Sequence, residues 1–180
     1  MNGNVLILSG SPRKNGATDK LVSAFIEGAE SAGNSVTLFR TADMKINGCL
    51  GCRNCSDNPG SCVQNDDMAE IIKVFAVSDA IVFASPVYFF TVSAQIKAAI
   101  DRTYTFRGGN TSIKRSALLL SCGDSSGEAA EGAIVTYKNM LKYRKWENAG
   151  VVVVPGLSGV NLIDGRAELE AARELGQKIL

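Results

Sequence analysis

The amino-acid sequence predicts an α/β fold, a doubly wound parallel sheet with helices on both faces. One observation is a set of short apolar runs, typical of strands buried on both sides, at residues 5–8, 80–84, 117–120 and 151–154. A second is that stretches with a helical spacing of apolar residues lie between these runs. The third is a stretch of alternating polarity at residues 35–40, which fits a more exposed strand. Strands and helices that alternate along one chain build a parallel sheet covered on both faces.

Five helices are predicted between and after the strands. The first is indicated by one apolar stripe with spacing i, i+1, i+4, i+5 and i+8: Leu21, Val22, Phe25, Ile26 and Ala29. Comparable stripes predict helices within residues 68–76 and 96–103, and further helices are expected at residues 131–148 and 166–180. No repeat, low-complexity segment or linker divides the sequence, so residues 1–180 are predicted to form one domain.

The composition excludes several classes of function. Nineteen basic and eighteen acidic residues give a net charge of +1 without a run of basic residues, so neither nucleic acid nor a membrane is an expected partner. Only four apolar residues precede Ser9, too few for a signal peptide, and the apolar residues 74–90 are interrupted by Asp79 and Pro86. A cytoplasmic protein is therefore expected. The absence of histidine excludes Ser-His and Cys-His nucleophile pairs and the commonest zinc ligand.

The loop after the first strand, SGSPRKNGAT, has the composition of a phosphate-binding loop. Its glycines let the backbone approach a ligand, Ser11 and Thr18 supply hydroxyl groups, Arg13 adds positive charge, and the N-terminus of the next helix favours an anion. The loop has neither the G-x-G-x-x-G spelling of a dinucleotide site nor that of a P-loop. It predicts a monophosphate site, and the alternative is that Ser11 or Thr18 only caps the helix.

The loop after the third strand, SPVYFF, predicts a surface for a flat ring. Pro86 restrains the turn, and Val87, Tyr88 and Phe89 put apolar and aromatic groups at the strand end, where ligands of such sheets bind. The alternative interpretation is that at least one of Phe89 and Phe90 is an ordinary core residue.

Four of the five cysteines lie in the stretch CLGCRNCSDNPGSC at residues 49–62, with the spacing C-x2-C-x2-C-x6-C. A reducing compartment disfavours disulfides. Zinc sites usually pair two C-x2-C arms across a longer loop, whereas three close cysteines also occur in the ferredoxin run C-x2-C-x2-C. A four-iron four-sulfur cluster and reduced free thiols are the two main hypotheses, and zinc stays open.

The first and third loops together, GSPRKNGAT and SPVYFFTVSAQIKAAIDR, resemble the NAD(P)H-dependent FMN reductase family of flavodoxin-like proteins. The resemblance extends from the first strand to Arg102 and continues more weakly beyond it. It implies a five-stranded sheet of order 2-1-3-4-5. It also implies FMN held through its phosphate by Ser11, Arg13, Asn15, Ala17 and Thr18, and through its ring by Pro86, Val87, Tyr88, Phe89 and Gly123.

The cysteine stretch resembles the iron–sulfur flavoprotein branch of this family. That branch carries C-x2-C-x2-C, a fourth cysteine a few residues later and an aspartate-rich helix start. The matching positions here are Cys49, Cys52, Cys55 and Cys62, followed by Asp66 and Asp67. The resemblance implies these four cysteines as ligands of a four-iron four-sulfur cluster.

Three functions follow as hypotheses, because no residue is an obvious general acid, base or nucleophile and a cofactor must then carry the chemistry. The first is an FMN-dependent oxidoreductase that passes electrons from NAD(P)H to a quinone, azo or nitro compound or free flavin by a ping-pong mechanism. The second is an iron–sulfur flavoprotein that takes electrons from a ferredoxin-like partner. The third is a thiol-based redox-sensing or metal-binding module without catalysis. The family resemblance also implies a homodimer or homotetramer.

Overall fold

Five parallel strands form the sheet of the computed structural model, which describes residues 2–107, 111–158 and 163–180. The strands in chain order are β1 (Asn4–Ser9), β2 (Ser35–Arg40), β3 (Ala80–Tyr88), the two-residue β4 (Thr91–Val92), β5 (Arg115–Ser121) and β6 (Glu147–Val154). The spatial order is β2-β1-β3-β5-β6, and β4 pairs only with β3. For the five parallel strands this is the order 2-1-3-4-5, so the flavodoxin-like fold is confirmed.

The short strand β4 is a correction to the five-strand prediction. It pairs antiparallel with the end of β3, with Tyr88 opposite Thr91. The two residues between them, Phe89 and Phe90, have φ angles of 46° and 69°. A hairpin turn with two positive φ angles normally contains asparagine, aspartate or glycine. Two phenylalanines therefore gave no indication of a turn in the sequence.

The helices that cover the sheet are α1 (Ala17–Ser31), α3 (Met68–Val77), α4 (Ala94–Arg102), α5 (Glu131–Arg144) and α6 (Ala167–Gln177). A further one-turn helix, α2 (Asn54–Asp57), lies within the cysteine stretch and was not predicted. Across the described part of the chain, no helix is both long enough and apolar enough to cross a membrane.

Both faces of the sheet bury a hydrophobic core. Leu6 and Leu8 of β1 belong to the core that α3, α4 and α5 cover, whereas Val5 and Ile7 belong to the core beneath α1 and α6. All four side chains are at most 1% exposed. Because successive residues of a strand point to opposite faces, a strand buried on both faces must be apolar at every position. This is the pattern that predicted the strand.

The helix predicted at residues 131–148 is shorter than expected. α5 ends at Arg144, because Lys145 adopts the left-handed conformation with a φ of 58°. The amide of Trp146 then bonds to the Leu141 carbonyl oxygen at 3.1 Å, and β6 begins at Glu147. A left-handed residue is a common helix end, but glycine or asparagine usually occupies it. Because this position is a lysine, the sequence did not indicate that α5 ends at Arg144.

Helices α1 and α6 touch through two glycines. A Cβ atom added at Gly28 would lie 1.9 Å from the carbonyl oxygen of Arg173, and one added at Gly176 would lie 2.1 Å from the carbonyl oxygen of Phe25. Both obstacles are backbone atoms, so a side-chain rotation cannot relieve the overlap. The close packing of α1 against α6 therefore depends on glycine, which has no side chain, at both positions.

Substituting Gly28→Ala is expected to destabilise the protein by about 2 kcal/mol. Overpacking against backbone costs about 3 kcal/mol at the upper end of its usual range, and the better helix propensity of alanine returns about 1 kcal/mol. Urea unfolding followed by circular dichroism measures the difference. Gly48→Ala is the control, since a Cβ there would meet no described atom within 4 Å. A Gly28→Ala variant as stable as the wild type would contradict the close helix contact.

Candidate functional site

A cavity of about 680 Å³ lies beyond the carboxyl ends of the parallel strands, and we call it the strand-end cavity. Residues from the ends of β1, β3, β5 and β6 meet there, as expected for a doubly wound sheet. Its lining includes Ser11, Arg13, Asn15, Ala17, Thr18, Pro86, Val87, Tyr88, Ser121, Cys122, Gly123 and Leu157. The structure thus brings together every predicted cofactor-binding residue except Phe89.

Phe89 stands apart from this cavity. It occupies the tip of the β3–β4 hairpin, and its side chain is 95% exposed. The ring packs edge-on against Phe90, with the ring centroids 5.6 Å apart. The prediction that Phe89 borders a ring site therefore does not match its position. The physical reason is the pairing of Tyr88 with Thr91, which reverses the chain one residue after Tyr88.

The loop after β1 leads into an open helix N-terminus. Gly16 occupies the N-cap position of α1, so no side chain caps the first turn, and the alternative that Ser11 or Thr18 serves as the cap is wrong. The Arg13 amide instead donates to the Ser11 hydroxyl oxygen at 3.3 Å. Free first-turn N–H groups and the nearby Arg13 charge together make this end favourable for an anion.

Arg40, at the end of β2, holds this loop in place through contacts with Ser11 and Asp19. It forms an ion pair with Asp19 and donates to the Ser11 carbonyl oxygen at 3.3 Å, while Asp19 accepts a hydrogen bond from the Asn15 amide at 2.8 Å. Burial alone would lower the pKa of Arg40, but its hydrogen bonds to Asp19 and Asp43 outweigh that effect and raise the pKa. The charged guanidinium thereby offsets the carboxylate in the first turn of α1.

Two buried hydroxyl groups join α1 to β5 inside the cavity. The Thr18 and Ser121 side-chain oxygens lie 2.8 Å apart. Sequence reasoning missed Ser121 and Cys122 as lining residues, because neither belongs to a recognisable motif. The rule that ligands bind beyond the carboxyl ends of strands could have found them, since both lie at the end of β5.

A second cavity, of about 760 Å³, is bordered by Cys49, Cys52, Cys55 and Cys62, and we call it the cysteine cavity. Cys49 and Cys52 are exposed, whereas Cys55 and Cys62 are half-buried. All four are free thiols in the structure. Its other lining residues include Arg53, Arg102, Tyr104 and Arg107. The four thiols predicted as ligands therefore surround one space.

The thiols are not arranged around a single metal ion. In residues 2–107, 111–158 and 163–180, no three side chains of the metal-binding types come close enough to hold one ion. A tetrahedral zinc site with 2.3 Å bonds would need sulfur atoms about 3.8 Å apart. The four cysteines nevertheless border one cavity of about 760 Å³.

Arg102, the last residue of α4, reaches into the cysteine cavity from a buried position. Its side chain is 1% exposed and forms an ion pair with Asp66, whose side chain is 7% exposed. The same guanidinium donates to the Cys62 sulfur at 3.4 Å and to the Asn47 carbonyl oxygen at 3.3 Å. Burial alone would raise the pKa of Asp66, but the hydrogen bonds from Arg102 and from the Asn47 and Met68 amides, together with the Arg102 charge, outweigh burial and lower the pKa. No motif in the sequence indicates these contacts of Arg102.

Comparisons with known proteins identify the family of the chain. Residues 4–157 match the family model of the NADPH-dependent FMN reductases. An iron–sulfur flavoprotein of Archaeoglobus fulgidus is 35% identical over 94% of this chain and 76% of its own length. An iron–sulfur flavoprotein of Methanocaldococcus jannaschii is 32% identical over 97% of this chain and 94% of its own length.

A solved structure with the same fold is the NAD(P)H:quinone oxidoreductase from Methanothermobacter marburgensis. It superposes with a TM-score of 0.80 over 98% of this chain and 96% of that chain. The sequence identity is 23%, so this similarity concerns the fold alone.

Proposed function

The chain belongs to the NADPH-dependent FMN reductase family and is a flavoprotein oxidoreductase, and we propose that it binds FMN in the strand-end cavity. We further propose that it passes electrons from NAD(P)H to a small acceptor such as a quinone, an azo or nitro compound, or free flavin. The observation that carries the proposal is the meeting of nine predicted cofactor-binding residues at one cavity with an uncapped helix N-terminus.

The loop after β1 has the groups that a terminal phosphate needs. The free N–H groups of α1 and the Arg13 guanidinium offer donors and positive charge, and the hydroxyl groups of Ser11 and Thr18 border the same space. Arg40 holds the loop in place and offsets Asp19. The cavity volume of about 680 Å³ lies within the usual range for cofactor sites.

The ring side of the cavity is apolar and open. Pro86, Val87, Tyr88 and Gly123 all line this cavity, and a Cβ added at Gly123 would meet no described atom within 4 Å. FMN, when bound, supplies the ring that accepts and releases electrons. The protein residues bind and orient that ring and leave space for a donor or an acceptor beside it.

The apoprotein is expected to bind FMN and to bind FAD poorly. A terminal phosphate can end at the loop after β1, whereas the pyrophosphate of FAD would have to continue through the α1 N-terminus. Titration of flavin fluorescence with the apoprotein measures both dissociation constants. Equal affinities for FMN and FAD would contradict a monophosphate site.

Turnover is expected to follow a ping-pong mechanism. One open side of the cavity must receive the donor and the acceptor in turn, so both cannot be bound there together. Steady-state rates measured while both substrate concentrations are varied should give parallel double-reciprocal lines. Intersecting lines would mean that donor and acceptor bind simultaneously.

For the cysteine cavity we propose a four-iron four-sulfur cluster held by Cys49, Cys52, Cys55 and Cys62. Four free thiols around one cavity support this proposal, as does the relatives' description as iron–sulfur flavoproteins. Such a cluster carries single electrons and would suit a ferredoxin-like donor as the electron source. Anaerobic purification with iron and sulfide analysis should find about four of each per chain.

The absorption spectrum of the anaerobically purified protein distinguishes the remaining hypotheses. Flavin bands alone would favour an FMN reductase with free thiols, and flavin bands with a broad shoulder bleached by dithionite would favour the iron–sulfur flavoprotein. A protein with neither feature would favour a thiol-based module. We propose that the protein assembles as a homodimer or homotetramer. Size-exclusion chromatography with light scattering measures the molar mass of the assembly.

A further inference from the structure

We propose that Arg102 is a positioning residue of the cysteine cavity: held by Asp66, its guanidinium donates a hydrogen bond to the Cys62 sulfur and raises the reduction potential of the cluster there. This inference rests on the proposed cluster. It assigns an electrostatic role to a residue outside the cysteine motif.

The orientation of Arg102 is fixed by its two other contacts. One terminal nitrogen serves both Asp66 and the Asn47 carbonyl oxygen, and the other terminal nitrogen lies 3.4 Å from the Cys62 sulfur. Asp66 is itself held by the Asn47 amide at 3.0 Å and the Met68 amide at 3.3 Å. The donor that faces the sulfur therefore has little freedom to turn away.

These contacts clamp the cysteine stretch at both ends. Asn47 precedes Cys49, and Asp66 follows Cys62, so one guanidinium joins the start and the end of the stretch. The Cys62 arm is held a second time, because the Thr105 hydroxyl donates to the Ser61 carbonyl oxygen at 3.0 Å. These hydrogen bonds therefore hold the backbone next to Cys62 in place.

The contacts that hold the loop do not account for the second terminal nitrogen of Arg102, which faces the Cys62 sulfur. Burying a guanidinium costs several kcal/mol unless its donors are satisfied. Among the described residues, the buried Arg102 Nε has no acceptor, although a second terminal nitrogen is directed at a sulfur. Sulfur of a neutral thiol is a weak acceptor, whereas a thiolate bound to a cluster is a strong one. The arrangement becomes favourable when Cys62 is a cluster ligand.

The expected effect on the potential has a definite sign. Reduction adds negative charge to a cluster, and a buried positive group that donates to a ligand sulfur stabilises the reduced form more than the oxidised form. Arg102 should therefore make the cluster easier to reduce. The same helix begins next to Ser93, whose hydroxyl donates to the Gly10 carbonyl oxygen at 2.7 Å, and Gly10 directly precedes Ser11 of the strand-end cavity. A nine-residue helix spans about 13 Å, so α4 links the two proposed redox sites.

The test compares the wild type with Arg102→Lys and with the double variant Arg102→Gln/Asp66→Asn, which removes both buried charges and so avoids an unpaired carboxylate. The control is Arg107→Gln, because Arg107 is exposed, borders the same cavity and has no hydrogen bond to Cys62 in the described structure. Each cluster-loaded protein is titrated anaerobically with dithionite, and the midpoint potential is followed by electron paramagnetic resonance. Iron content and circular dichroism are measured on the same samples.

The double variant is expected to shift the cluster equilibrium at least tenfold toward the oxidised form, which equals 59 mV for one electron. Arg102→Lys keeps the positive charge and should shift the equilibrium less than the double variant, and Arg107→Gln should shift it much less. The inference is overturned if the double variant keeps its iron and shifts no more than the control. It is also overturned if both Arg102 variants lose iron while the control keeps it, because Arg102 would then only hold the loop. A wild type without iron after reconstitution would overturn the cluster proposal itself and this inference with it.

Discussion

Substituting Cys55→Ser is expected to remove nearly all cluster iron from the protein. A serine hydroxyl is not ionised near neutral pH, whereas the cluster needs thiolate ligands, and three remaining thiols leave one iron without its protein ligand. After anaerobic reconstitution, the iron content should fall from about four per chain in the wild type to below about one in the variant. Cys55 is the most informative choice, because it is half-buried and lies in the one-turn helix α2, inside the cavity lining.

Cys122→Ser is the matched control for this experiment. Cys122 is the fifth cysteine, and it is buried in the lining of the strand-end cavity instead of the cysteine cavity. Its substitution makes the same chemical change without touching the proposed ligand set, so the iron content should stay near the wild-type value. Equal iron loss in both variants, or full retention in Cys55→Ser, would argue against the four-cysteine site.

The sheet could be predicted from the sequence because its strands are buried on both faces. A strand such as β1 must be apolar at every position, and this local pattern is visible without any knowledge of the partners. The hairpin at Phe89 and Phe90 could not be predicted, since both residues adopt a backbone conformation that phenylalanine disfavours. Only the pairing of β4 with β3 makes that conformation favourable overall.

Some residues of the candidate site could likewise be predicted from the sequence and others could not. Residues at or just after the end of a strand, such as Pro86 and Arg13, were accessible to prediction because the strand ends identify them. Arg40 and Arg102 were not, because each acts through a contact with a residue far away in the chain. These contacts span 29 and 40 positions respectively. A single sequence has no local pattern that records such pairs.

The phosphate site yields the second large effect. The double variant Arg13→Ala/Thr18→Ala is expected to weaken FMN binding by about 2 to 4 kcal/mol, because each lost contact is a charged hydrogen bond worth about 1 to 2 kcal/mol. This corresponds to an increase of about 30-fold to 1,000-fold in the dissociation constant. Both residues border the strand-end cavity, Arg13 from the exposed loop and Thr18 from the first turn of α1.

Riboflavin supplies the control for that variant, since it carries the same ring and lacks the phosphate. If Arg13 and Thr18 act on the phosphate, the double variant should bind riboflavin about as well as the wild type does, and the whole loss should appear with FMN. Thr18→Ala also removes the partner of the Ser121 hydroxyl, 2.8 Å away, which costs stability of about 1 kcal/mol. Thermal unfolding separates that loss from binding, and Arg13→Ala alone, at an exposed position, should weaken FMN without lowering stability. A double variant that weakens FMN and riboflavin equally would place the phosphate elsewhere in the cavity.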